Sequence, residues 1–128
     1  MITIDSPNNT GTHGGVCMYI KESIMTKRLQ ELEDPAFKVL WSYIRPPRLP
    51  RGINCVVTAC IYHPPSSNDT EILEYLSDVI TRAEGLFPGC GIIIAGDFNQ
   101  LDTKHLCREF RLKNNLSTNQ QAVLTFWI

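Results

Sequence analysis

The sequence predicts an α/β fold, a mixed sheet with one main crossover helix. Two observations carry this. Residues 53–62 and 91–95 are apolar runs of strand length, and between them Ile72, Leu73, Leu76, Val79, Ile80 and Ala83 recur at helical spacing. A strand, a helix and a strand in that order favour parallel pairing through a crossover. Residues 38–44 form a further strand-like run, joined to 53–62 by a proline-rich stretch, and those two look like a hairpin.

The 128 residues suit one domain spanning 1–128. Hydrophobic residues make up 43% and charged residues 20%, which is globular rather than disordered composition. The formal net charge of −1 excludes a bulk electrostatic grip on nucleic acid and leaves only a local basic patch for that purpose. No apolar run approaches the length of a membrane span, and the start lacks the basic and apolar regions of a signal peptide. Cys17, Cys55, Cys60, Cys90 and Cys107 form no CxxC pair. They read as small, reduced residues of an intracellular protein rather than zinc ligands or disulfides.

Each element has a local reason. Residues 1–13 are polar, with Asp5-Ser6-Pro7-Asn8-Asn9-Thr10-Gly11, and read as a loop or as the frayed remainder of an upstream element. Gly14-Gly15 releases a strand over residues 16–20, and residues 23–35 are mixed and leave room for a short turn. In 38–44, Val39, Trp41 and Tyr43 share one face and Leu40 and Ile44 the other. Three prolines in Arg45-Pro46-Pro47-Arg48-Leu49-Pro50-Arg51 forbid a helix or central strand there. Asn68 is a good N-cap, with Glu71 three residues on, for a helix over 69–86 that Pro88-Gly89 stops. The Ile92-Ile93-Ile94 run predicts a strand covered on both faces. Thr103 is positioned to cap a second helix carrying Leu106 and Phe110 on one side. From Asn114 the pattern weakens, and residues 122–128 are apolar.

The chemistry concentrates at Gly96-Asp97-Phe98-Asn99. In an extended segment residues i and i+2 point to one side, so Asp97 and Asn99 are expected to leave the sheet together. One accepts and the other donates, a combination suited to a phosphate or its attacking water. Tyr62 also ends an apolar strand, as a rim residue or a site residue. His63, beside Pro64-Pro65, reads as a surface loop residue; His105 lacks an i+4 partner for a metal, and His13 precedes two glycines. Arg45, Arg48 and Arg51 form the one basic cluster, either a phosphate contact or a solvated hairpin tip.

The order Gly14-Gly15-Val16-Cys17-Met18-Tyr19-Ile20, Ile61-Tyr62-His63-Pro64-Pro65-Ser66 and Ile94-Ala95-Gly96-Asp97-Phe98-Asn99-Gln100-Leu101 resembles the endonuclease/exonuclease/phosphatase superfamily. Within it the likeness is to the endonuclease domain of LINE-type (non-LTR) retrotransposons, and it runs from about Gly11 to about Leu112. The resemblance implies a partial two-sheet α/β sandwich, DNase I-like, with a core over 14–112 and a divergent tail over 113–128. It implies that Asp97 orients or deprotonates the attacking water, that Asn99 hydrogen-bonds the scissile phosphate, and that Tyr62 stands near it. It further implies Mg²⁺ as cofactor, DNA as partner, a nuclear place of work, and a parent enzyme that nicks a target strand for reverse transcription. Arg45, Arg48 and Arg51 are the expected nucleic-acid contacts. The family's metal-binding glutamate and its closing Ser-Asp-His motif are not matched, so this chain is expected to be the middle of such a domain with impaired activity. The alternative is a non-catalytic remnant that binds nucleic acid weakly.

Overall fold

The computed structural model describes residues 2–5, 16–99, 101–114 and 121–126. In chain order the elements are β1 (Ile2–Asp5), β2 (Cys17–Ile20), β3 (Met25–Arg28), a single 3₁₀ turn (Gln30–Leu32), β4 (Lys38–Arg45), β5 (Val56–Tyr62), α1 (Asp69–Leu86), β6 (Gly91–Asp97), α2 (Lys104–Phe110), β7 (Lys113–Asn114) and β8 (Gln121–Phe126). Six strands make one mixed sheet in the order β3-β4-β5-β6-β8-β7, and β1 with β2 makes a second, two-stranded sheet.

The centre of the large sheet follows the expected topology. β4 and β5 are an antiparallel hairpin, and β5 and β6 are parallel, with α1 as the crossover between them. α1 starts where the N-cap chemistry puts it: the Asn68 side chain accepts from the Glu71 N–H at 3.1 Å. Its Ile72, Leu76, Val79, Ile80 and Ala83 join Val39 and Trp41 of β4, Val57, Ala59 and Ile61 of β5, and Ile92 and Ile94 of β6 in one buried cluster. Each fully buried aliphatic side chain there contributes roughly 1.5–3 kcal/mol. Trp41, fully buried, donates from Nε1 to the Tyr75 hydroxyl at 2.9 Å, and that hydroxyl donates to the Leu32 carbonyl at 2.6 Å. This relay ties β4, α1 and the 3₁₀ turn together without an unpaired polar atom. Burial, more than any neighbour, pushes the Tyr75 phenol well above its usual pKa.

The other face of the large sheet carries Leu40, Ser42 and Val56, all buried, and Thr58, Cys60, Tyr62, Ile93, Ala95 and Asp97, all half-buried. Burial and then the nearby Cys17 of β2 push the Cys60 thiol of β5 up. Ile93 is therefore only partly covered, whereas Ile92 and Ile94 are fully buried, and the expectation of complete cover on both faces is corrected.

The structure adds four particulars to the sequence reading. Residues 2–5 of the supposed loop form β1, which pairs antiparallel with β2 from Ile2↔Ile20 to Asp5↔Cys17. The polar run after Asp5 hid a strand of four residues. The mixed segment 23–35 holds β3, paired to β4 from Met25↔Arg45 to Arg28↔Ser42. The divergent tail contributes β8, which lies antiparallel to β6 and is an interior strand of the sheet. Thr103 sits at the N-cap of α2 but makes no side-chain cap bond; Asp102 accepts from the Lys104 N–H at 3.0 Å instead.

Candidate active site

The site stands where β5 and β6 end side by side. In the parallel ladder Tyr62 is the register partner of Asp97, and across the hairpin Lys38 is the partner of Tyr62. Register partners share a face, so Lys38, Tyr62 and Asp97 form a row across three adjacent strands. The Lys38 ammonium lies over the Tyr62 ring, 5.5 Å from its centroid. All three are half-buried, so the row is accessible.

Gly96 makes the close approach possible. Its φ is +149°, and a Cβ there would lie 1.9 Å from the Ile61 carbonyl oxygen. Only glycine admits β6 this near to β5 at the last rung before the carboxylate.

Asn99 joins the site by a different route from the one expected. β6 ends at Asp97, and Asn99 has φ +50°, in the left-handed region that asparagine tolerates best after glycine. The chain turns, so strand alternation does not place residue 99. A local bond does: the Asn99 N–H donates to Asp97 Oδ1 at 3.0 Å. The Asn99 Nδ2 donates to the His63 carbonyl, and the His63 N–H donates to the Asp97 carbonyl at 2.9 Å. Asp97, Asn99 and the Tyr62–His63 strand end are thereby one hydrogen-bonded unit.

His63 itself is not a surface residue. It is 3% exposed, and its Nε2 lies 2.7 Å from Asp69 Oδ1 at the first turn of α1. The sequence did contain the signal: Val57, Ala59, Ile61 and residue 63 share the helix-facing side of β5 by alternation. Beside this unit is a cleft of about 280 Å³ lined by Phe37, Lys38, Tyr62, His63, Ser67 and Asn68 among others. A larger acidic groove of about 640 Å³, bounded by Glu33, Asp34, Glu71, Glu74 and Asp78, does not include Tyr62, Asp97 or Asn99.

Three predicted residues lie elsewhere. Arg45, Arg48 and Arg51 occupy the β4–β5 tip, all exposed. The hairpin runs from Lys38↔Tyr62 at the site to Ile44↔Val56 at the tip. Six residues of strand rise separate the ends, about 20 Å. His105 is on α2, 3.7 Å from Glu109. His13 lies outside the described residues.

Mg²⁺ takes oxygen ligands, usually one or two carboxylates together with substrate phosphates and water. Asp97 supplies one carboxylate. Among the described residues no group of three or more His, Cys, Asp or Glu gathers to hold a metal ion. The described side chains therefore do not build a metal cage of their own.

The unit can hold an anion's oxygens and orient a water. Asp97 Oδ1 accepts from the Asn99 N–H, and a carboxylate has a second oxygen able to accept from a water. Asn99 uses one Nδ2 proton on His63 and has a second to donate.

Such a fold, with a polar site at the end of two parallel strands inside a two-sheet α/β arrangement, is DNase I-like. It is shared with a solved structure, the endonuclease domain of TRAS1, a telomere-specific non-LTR retrotransposon, with a TM-score of 0.62 and 13% sequence identity. The match covers 87% of this chain and 58% of that one, so the chain spans little more than half the length of that relative. No family profile and no curated protein matches the sequence. Among the described residues no helix is long and apolar enough to cross a membrane.

Proposed function

We propose that the chain carries the phosphodiester-hydrolase site of a DNA endonuclease of the non-LTR retrotransposon type. The observation that supports it best is the convergence of Tyr62, Asp97 and Asn99 at one accessible strand end. In this reading Asp97 accepts a hydrogen bond from the attacking water and takes its proton as the water adds to phosphorus, while the P–O bond to the leaving deoxyribose oxygen breaks and that oxygen takes a proton from solvent. Asn99 donates its second Nδ2 proton to a non-bridging phosphate oxygen, where negative charge grows. The Tyr62 phenol flanks the same phosphate. A preorganised donor of this kind is worth about 10²–10³ in kcat. Mg²⁺ dependence and nuclear action belong to the proposal through the resemblance.

A second reading has one observation in its favour. Arg45, at the end of β4, and Arg48 and Arg51, in the loop that follows, are all exposed, as a weak phosphate grip requires. In that reading the chain is a non-catalytic remnant. Nicking of supercoiled plasmid in Mg²⁺ buffer separates the two. Nicking that Asp97→Ala abolishes supports the hydrolase; salt-sensitive DNA retention with no nicking supports the remnant.

A further inference from the structure

We propose that His63 and Asp69 form a positioning clasp that holds Asn99 in its working orientation from outside the reacting atoms. The inference rests on the hydrolase reading for its purpose and on the structure for its geometry. β5 ends at Tyr62. The next residues are His63, Pro64 and Pro65, and the prolines have no N–H with which to continue a ladder. The strand end therefore needs another anchor at residue 63.

The ring provides it. A carboxylate only accepts, so the 2.7 Å contact to Asp69 requires the proton on His63 Nε2. That bond fastens residue 63 to the first residue of α1, an 18-residue helix seated on the core. The backbone of the same residue makes both bonds that matter to the site: its N–H to the Asp97 carbonyl and its carbonyl from Asn99 Nδ2. Asn99 needs this support because it lies beyond β6 in a left-handed conformation, where the strand ladder does not hold it. His63 is 3% exposed, whereas the Asp69 side chain is 61% exposed, so the carboxylate end of the clasp can be changed without opening the core.

The test reads the Asn99 side-chain amide by ¹H–¹⁵N NMR on the full chain. In the wild type one Asn99 amide proton exchanges with solvent more slowly than those of Asn68, by about tenfold, the factor an ordinary hydrogen bond supplies. Asp69→Ala is expected to erase that difference, and Asp69→Asn, which keeps an acceptor oxygen, to restore it. His63→Gln, whose carboxamide can donate to Asp69, retains protection, whereas His63→Leu loses it; this second pair decides the matter if Asp69→Ala fails to fold. Protection that persists in Asp69→Ala or His63→Leu overturns the clasp, as does failure of both conservative variants to keep it. Plasmid nicking is measured alongside. A wild type that nicks should lose kcat in Asp69→Ala with KM unchanged. A wild type that does not nick sinks the hydrolase reading while the exchange measurement still decides the clasp.

Discussion

Gly96 and Asn99 show how much of the site depends on backbone conformation. A methyl group at residue 96 would overlap the Ile61 carbonyl, and backbone rather than a flexible side chain would have to yield. Gly96→Ala is therefore expected to cost about 3 kcal/mol, the upper part of the overpacking range, measured as a lowered urea midpoint. Asn99→Ala removes the donor aimed at the phosphate, and nicking should fall by about 10²–10³ if the hydrolase reading holds. Asp97, Asn99 and Tyr62 were legible in the sequence because each sits at or just past the end of a run too apolar to be anything but a buried strand. The route by which Asn99 arrives was not legible: alternation describes a strand, and residue 99 lies beyond it. His63 stands beside two prolines that mark a loop, yet it holds a period-2 position on the helix-facing side of β5, and that position is the one the fold uses.

Among the elements, α1 and the β4–β5–β6 core were legible from local chemistry. The helix has an apolar stripe of five buried residues and a cap of its own. Asn68→Ala should lower stability by about 1 kcal/mol, read as a fall in melting temperature, since the Glu71 N–H loses its acceptor. β2 was legible as the apolar run over residues 16–20, but its partner β1 and the edge strands β3 and β7 were not. β1, β3 and β7 are two to four residues long, too short for alternation to register, and their pairing is decided by tertiary partners. β8 is longer and apolar, but nothing local told that it inserts between β6 and β7.

At the scale of the molecule, the sheet separates a polar strand end, which carries the candidate site, from a basic tip, and the tip takes no part in building that end. Buried thiols add a pH dependence at the tip end, where Cys90 precedes β6. Burial foremost, then Cys55 and Glu84, push Cys90 up to about 11 from 9.0. Folding favours the neutral thiol, so this stability is complete below 9.0 and is lost as pH rises through about 11. Urea midpoints should fall across that interval, and Cys90→Ala should flatten the fall.

The most direct measurement is an NMR titration of the ¹⁵N-labelled chain with a short DNA duplex. The account predicts shifts centred on Tyr62, His63, Asp97 and Asn99, retained when Arg45, Arg48 and Arg51 are all changed to alanine. Shifts confined to residues 45–52 and lost in that triple variant would contradict it.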